Sequence, residues 1–410
     1  MVYQFESQNA SVREETSPKT NYSSLKGDDN VIYDLVIVWW GITGLSAAWY
    51  AQQEGLKVAV IDKLRIVQWT TWGTTAKLSA QHYFVYHNLL ERRGRDVAQA
   101  YADANMHGID EIERIAQEND IDADFSRRPA YIFSQEESKV AIMHQEAKIA
   151  QSLWLSASVV QDIELPYKIA WALKFDHQAQ FHPRKYLIPL AQKFVENGGV
   201  IYENTEATDL KVDDPVTVLT KHWSLQAKHV LQACTAPVYW HELFEGRYWN
   251  KVSYGLAIEM QDGFEYPEGM YLRTDDDIRT TRTMPLEWDK QRLIFWGASH
   301  NADDRNPDPR YEMLEKEAHK LYPIKKIHYR WLADDVMPYD KIPFIGLLPE
   351  HDNVYVATWF RARWLARGVA AAEMVVKDIT GNPDSTMKYF SPSRLLEPLR
   401  KDDKNEEIGY

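Results

Sequence analysis

Between residues 31 and 62 the sequence encodes one compact strand–helix–strand unit, and few folds can be built on such a unit. Residues 34–38 read as a short strand, continuously apolar after Asp34, the pattern of a strand buried on both faces. Residues 45–54 are Ala-rich and helical, with Gly55 where a helix would stop. Residues 57–61 form a second buried strand ending at Asp62. Two parallel strands joined by a helix need cover on both faces of their sheet, so the chain is expected to be α/β.

The turn inside this unit reads Trp39-Trp40-Gly41-Ile42-Thr43-Gly44. A dinucleotide site wants Gly-x-Gly-x-x-Gly there: one glycine for the tight turn, one for close approach to the pyrophosphate, one for strand–helix packing. The second and third are Gly41 and Gly44, and the first is Trp39. Asp62 stands 18 residues past Gly44, where an acid would take the ribose hydroxyls. Together these features point to nucleotide binding. A second segment, Thr70-Thr71-Trp72-Gly73-Thr74-Thr75-Ala76-Lys77, is rich in hydroxyls. It could donate to phosphate and ring heteroatoms, or be a Thr-rich helix cap.

Further along, helices are expected over about 96–119, 136–153, 183–196, 310–321 and 369–379. Strands are expected at 200–203, 207–212, 216–220, 225–231, 327–331 and 354–358, with mixed strands and loops over 252–295. Net charge is −13, which disfavours a nucleic-acid partner. Cys234 is the single cysteine, so a disulfide framework, a thiolate iron–sulfur cluster and a Cys-based zinc site are excluded, and no other metal site is expected. The longest uncharged run, 35–53, reads as strand, turn and helix rather than a membrane span. No apolar leader is visible in the polar first thirty residues, so a cytoplasmic location is expected.

These motifs resemble the D-amino-acid-oxidase-like superfamily of FAD-dependent oxidoreductases, which includes glycine and sarcosine oxidases. The nearest resemblance is to a bacterial subfamily often fused to a C-terminal Rieske domain. The likeness is carried by 33–38, Gly41–Leu45, Val58–Lys63, Thr74–Ser79, Ala179–Tyr186, Tyr329–Trp331, Met337–Gly346 and Val354–Thr358. No Rieske portion is read here, since one cysteine cannot supply its ligands.

The resemblance implies a Rossmann-like FAD-binding domain from 31–110, 180–237 and 326–385. It implies an inserted antiparallel-sheet substrate domain from 111–179 and 238–325, a flexible arm over 1–30 and a tail over 386–410. It also implies cofactor-binding roles. Trp39, Trp40, Gly41 and Gly44 would lie at the pyrophosphate, and Asp62 and Lys63 at the adenosine ribose. Thr70, Thr71, Thr75, Ala76 and Lys77 would line the flavin side. Ala207 would meet the adenine, Thr235 and Ala236 would lie near the cofactor, and Trp359 and Phe360 would close over the isoalloxazine. His82 is a weak catalytic candidate, more readily read as a structural histidine. The implied activity is hydride transfer to FAD from a small amine, amino acid or alcohol carbon. Oxygen or an electron carrier would be the final acceptor.

The departures from the family pattern share one feature. Trp39, Trp40, Trp69, Trp72, Trp296, Trp359 and Trp364 stand where the family has glycine. Trp154, Trp223 and Trp288 fall at helix ends and turns that favour glycine, with Trp171 and Trp240 as softer cases. Glycine numbers only 18 of 410 residues and tryptophan 15. Returning the twelve to glycine brings glycine to about 7%, its usual share. Reading of UGA as tryptophan, in a gene that uses it for glycine, accounts for all twelve. The alternative is a catalytically dead enzyme or binding protein whose cleft is filled by indoles. As written, the chain is expected to bind FAD poorly. The suspect tryptophans are expected to divide between one cleft (39, 40, 69, 72, 296 and 359) and exposed turns (154, 223 and 288). Several should have positive φ, whereas Trp49, Trp249 and Trp331 should be ordinary.

Overall fold

The computed structural model describes residues 17–398 apart from 68–72, 240, 277, 287–289, 303–305 and 362–363. Two eight-stranded sheets carry the chain. In the first, five strands run parallel in the order Val200–Tyr202, Val58–Ile61, Ile32–Val38, Ser224–Gln232 and Val354–Thr358. An antiparallel pair, Ala207–Lys211 and Val216–Thr220, extends it beside Ser224–Gln232, and Phe344–Leu347 returns against Val354–Thr358. Val58–Ile61 and Val354–Thr358 are buried at every position, as their unbroken apolar runs require.

Seven α-helices are described: α1 (Ile42–Gln53), α2 (Val85–Arg93), α3 (Arg95–Glu118), α4 (Val140–Ser152), α5 (Pro183–Glu196), α6 (Asp308–Leu321) and α7 (Leu365–Ile379). Helix α7 packs on both α1 and α3. Helix α1 is buried from Ile42 to Ala51, so it has no polar face and needs neighbours all round. Small residues let these helices approach closely. A Cβ on Gly108 of α3 would stand 1.9 Å from the carbonyl oxygen of Ala366 in α7.

The second sheet runs Ile324–Pro338, Tyr248–Met260, Gln291–Asn301, Arg279–Pro285, Met270–Arg273, Ala130–Ser134, Trp171–Phe175 and Ala157–Val160. It is antiparallel except where Met270–Arg273 meets Ala130–Ser134. Tyr311, Leu314 and Ala318 of α6 cover Leu256, Ile258 and Phe295 on one of its faces. A three-stranded ribbon of Lys77–Leu78, Ala179–Gln180 and Ser126–Arg127 completes the strands. Among the described residues no helix is long and apolar enough to cross a membrane.

Three details differ from the sequence reading. The strand expected at 327–331 runs from Ile324 to Pro338 and pairs into the second sheet, although 326–385 was grouped with the nucleotide-binding segments. It is an edge strand with two register shifts, so its burial follows no clean alternation. Helix α3 runs unbroken through the boundary placed at 110. Residues 17–30, expected to be a loose arm, are pinned. The carboxylate of Glu203, buried beneath them, accepts from the Thr20 hydroxyl, the Tyr22 N–H and the Ile66 N–H.

Candidate functional site

The parallel strands of the first sheet end at a common edge, and the residues just past four of them, Trp39, Asp62, Ala233 and Trp359, line clefts there. Open α/β sheets bind ligands at this edge. Three adjoining clefts share wall residues.

The first has a volume of about 840 Å³ and is lined by Trp39, Asp62, Lys63, Thr205, Ala207 and Ala236, among others. The Asp62 carboxylate accepts the N–H groups of Trp40 (3.0 Å) and Leu64 (2.7 Å), which fix its direction. Burial pushes its pKa up to about 6 against the pull of those two bonds. Lys63 pairs with Glu206 at 2.7 Å on the rim.

The second cleft, of about 600 Å³, is bounded by Gly41, Ile42 and Thr43 at the start of α1, by Ala233–Thr235, and by Trp359–Arg361. No side chain caps α1, so its first N–H groups are available to an anion. Gly44 explains the tightness of this turn: a Cβ there would lie 2.2 Å from the Trp39 carbonyl oxygen.

The third cleft, of about 700 Å³, opens between the sheets. Thr74–Lys77 form one wall, Ser253, Leu272, Thr280 and Trp296 of the second sheet another, and Trp364 and Leu365 close the end. The buried Lys77 ammonium donates to the Tyr271 carbonyl oxygen at 2.7 Å and to the Thr280 hydroxyl. Asp335 and Trp364 belong to both the second and the third cleft.

Of the residues singled out in the sequence, Trp39, Gly41, Asp62, Lys63, Thr75, Ala76, Lys77, Ala207, Thr235, Ala236, Trp359 and Phe360 line these clefts. Thr70 and Thr71, with Trp69 and Trp72, lie outside the described residues. Trp40 points away from the clefts: its indole is buried edge-on to Phe194, and its Nε1 has no hydrogen-bond partner. His82 is buried, with its Nδ1 2.8 Å from the Tyr101 hydroxyl, and lines none of the three clefts. The sequence reading missed Ser253, Thr280, Asp334 and Asp335. The only signal for the last two was a pair of acids inside an otherwise strand-like segment.

The tryptophans divide in part as expected. Trp39 (φ 82°), Trp154 (φ 64°) and Trp359 (φ 53°) adopt positive φ, while Trp49, Trp249 and Trp331 do not. Trp154 and Trp223 are exposed at 88% and 42%. Trp40, Trp171, Trp223, Trp296 and Trp364 have ordinary φ, and Trp240 and Trp288 lie outside the described residues. Positive φ also occurs at Ala76, Ala298 and Arg361 around the clefts, as backbone strain often does at sites.

Comparison with known proteins matches this arrangement. A family model described as FAD dependent oxidoreductase (DAO) matches residues 34–377. The Bacillus subtilis protein YhfW, named for a Rieske 2Fe-2S iron–sulfur centre, is 33% identical over 88% of this chain and 71% of its own length. Gamma-glutamylputrescine oxidoreductase of Escherichia coli is 24% identical over 87% of this chain and 86% of its own. Glycine oxidase from Geobacillus kaustophilus superposes with a TM-score of 0.74 at 15% identity, over 88% of this chain and 98% of that one. L-proline dehydrogenase from P. horikoshii superposes with a TM-score of 0.75 at 15% identity, over 92% and 100%.

Proposed function

The chain belongs to the DAO family of FAD-dependent oxidoreductases, and from that premise we propose that it oxidises a small amine, amino acid or related CH–OH substrate in the third cleft. The observation that carries this reading is the position of that cleft. It lies between the Thr74–Lys77 loop and the second sheet, and it shares Asp335 and Trp364 with the cleft at the start of α1. A cofactor threaded along the sheet edge would therefore present its far end to a substrate held against Ser253 and Thr280. The names of the Escherichia coli relative and of the glycine and proline enzymes support a nitrogen-bearing substrate.

The residues fit FAD at its adenosine end. Asp62 and the backbone around Ala207 would hold the adenosine, and the N–H groups of α1 the pyrophosphate. Thr75, Ala76 and Lys77 would line the flavin ring. When bound, FAD would supply a two-electron acceptor for hydride from the substrate carbon, and the chain would orient the pair and exclude water. Oxygen or an electron carrier would serve as the final acceptor. Asp62→Asn is expected to weaken FAD binding about tenfold, the scale of one charge-assisted hydrogen bond. Binding should strengthen as pH rises through about 6, because the ionised carboxylate is the better acceptor for ribose hydroxyls. Titration of the chain with FAD at pH 5 and pH 7.5 checks both; equal affinity at the two pH values would argue against this role for Asp62.

The fit fails at one place. Trp39 lines both the first and the second cleft, so the path between them passes its indole. On this reading the gene specifies glycine at the suspect positions, through UGA codons. The gene's nucleotide sequence is the test: TGA is expected at positions 39, 154 and 359, and TGG there would end the idea. A dead enzyme plugged by indoles is the second reading. It is favoured by Trp359, whose Nε1 donates to the Thr235 carbonyl oxygen at 2.6 Å and whose ring packs on Phe244, Tyr248 and Phe344. It gives no account of Trp154, far along the chain on a solvent-exposed helix end.

A further inference from the structure

The third cleft carries a charge that nothing in the described structure neutralises by contact. Asp335 is half-buried in the wall shared with the second cleft, and among the described residues its carboxylate makes no hydrogen bond or ion pair. Leaving a carboxylate in such a place costs free energy unless something arrives to pair with it.

The charged groups around it are few. Asp334, next in the strand, lines the second cleft and adds negative charge. Lys251 sits opposite Asp335 on the neighbouring strand and acts on it through space. Lys77 lines the third cleft, but its ammonium is turned to Tyr271 and Thr280. Arg361 lines the second cleft and not the third. Among the described residues no arginine lines the third cleft. A substrate carboxylate entering there would meet Asp335 without a guanidinium fork to receive it. A protonated amine would find its counter-charge already in place.

The geometry points to Asp335 as the residue that selects the substrate, taking the cationic nitrogen of an amine that has no carboxylate beside the carbon to be oxidised. This inference rests on the third cleft being the substrate site proposed above. The Ser253 and Thr280 hydroxyls on the facing sheet and the apolar Leu272 and Ile278 complete the lining, suited to an alkyl chain ending in one polar group. The acid is a positioning group here. It holds the nitrogen at the junction of the two clefts, so that the adjacent C–H bond can face a flavin ring lying along the Thr74–Lys77 wall.

The test uses the full chain with n-butylammonium and butyrate as probes, in isothermal titration at pH 7.5 and pH 5. Butylammonium is expected to bind and butyrate to bind more weakly. Asp335→Asn is expected to lose at least about tenfold in butylammonium affinity, and Asp335→Glu to keep most of it. Burial raises the Asp335 pKa to about 6, so butylammonium binding should weaken as pH falls from 7.5 to 5. Unchanged binding by Asp335→Asn, tighter binding of butyrate, or no binding of butylammonium would each overturn the assignment. Flavin retention is read separately from visible absorption. A chain that binds butylammonium through Asp335 but holds no flavin would overturn the oxidoreductase reading and leave the cation site standing.

Discussion

A chain carrying Trp39→Gly together with Trp359→Gly is expected to bind FAD on the order of 100-fold more tightly than the chain with both indoles, a gain of about 2.8 kcal/mol. The gain follows from how Trp39 is held. Its N–H donates to the Ile61 carbonyl oxygen at 2.9 Å, and its own carbonyl oxygen lies where a Cβ of Gly44 would be. The backbone at φ 82° is therefore fixed on both sides, so the indole leaves this passage only by a change of side-chain rotamer. Glycine takes this φ without a Cβ penalty and removes the side chain from the passage between the first two clefts. Trp359 follows its strand as Trp39 follows its own, also at positive φ, and lines the second cleft. Equilibrium titration followed by quenching of flavin fluorescence measures the change. If the parent chain already retains one flavin per chain through gel filtration as firmly as the double variant, the steric argument is wrong.

The reason so much of the nucleotide-binding half was legible lies in its parallel strands. Where they are buried on both faces, as at Val58–Ile61, they read as near-continuous apolar runs, and some of the helices announce themselves by their caps. Helix α5 begins at Pro183 after the His182 cap and ends before Asn197-Gly198, as the sequence reads. The second sheet hides itself because its interior is polar. The strand Arg279–Pro285 reads Arg-Thr-Thr-Arg-Thr-Met-Pro, yet every position but Pro285 is buried. Glu317 of α6 pairs with Arg279, and the Thr280 hydroxyl donates to the Tyr271 carbonyl oxygen, so part of this polarity is answered within the fold. No pattern of period two survives such cover. Asp335 escaped for a related reason. Its meaning comes from two clefts meeting at one wall, and that meeting joins strands distant in sequence. Trp40 was placed at the cofactor because its neighbours belong there. Its side chain turns the other way, since adjacent residues leaving a strand face opposite sides.

Replacing the large Trp154 with glycine is expected to stabilise the fold by about 1 kcal/mol, whereas the same change at Trp331 is expected to cost about 3–5 kcal/mol. Trp154 occupies the first residue past the cap of α4. Its N–H donates to the Gln151 carbonyl oxygen at 3.1 Å, and the next N–H, of Leu155, reaches back to Ala150 at 3.0 Å. This is the Schellman arrangement, which requires left-handed backbone at that residue. The same paired bonds close α1 at Gly55, α5 at Gly198 and α7 at Gly381, all with positive φ. Helix α3 uses Asp120 in that place. A left-handed conformation costs a residue with a Cβ about 1–2 kcal/mol, and glycine gives back about 0.5–1 kcal/mol through the freedom of its unfolded chain. At 88% exposure the Trp154 indole has almost no burial to offset the difference. Trp331 is the opposite case. It is buried in a strand, its Nε1 donates to the Gly73 carbonyl oxygen at 3.0 Å, and its ring packs on Trp296, so its removal leaves a cavity and an unpaired acceptor. Urea unfolding of the two variants beside the parent chain measures both signs. Loss of stability in Trp154→Gly would mean that this indole has a packing role the folded chain does not display, and the case for glycine at that codon would fall with it.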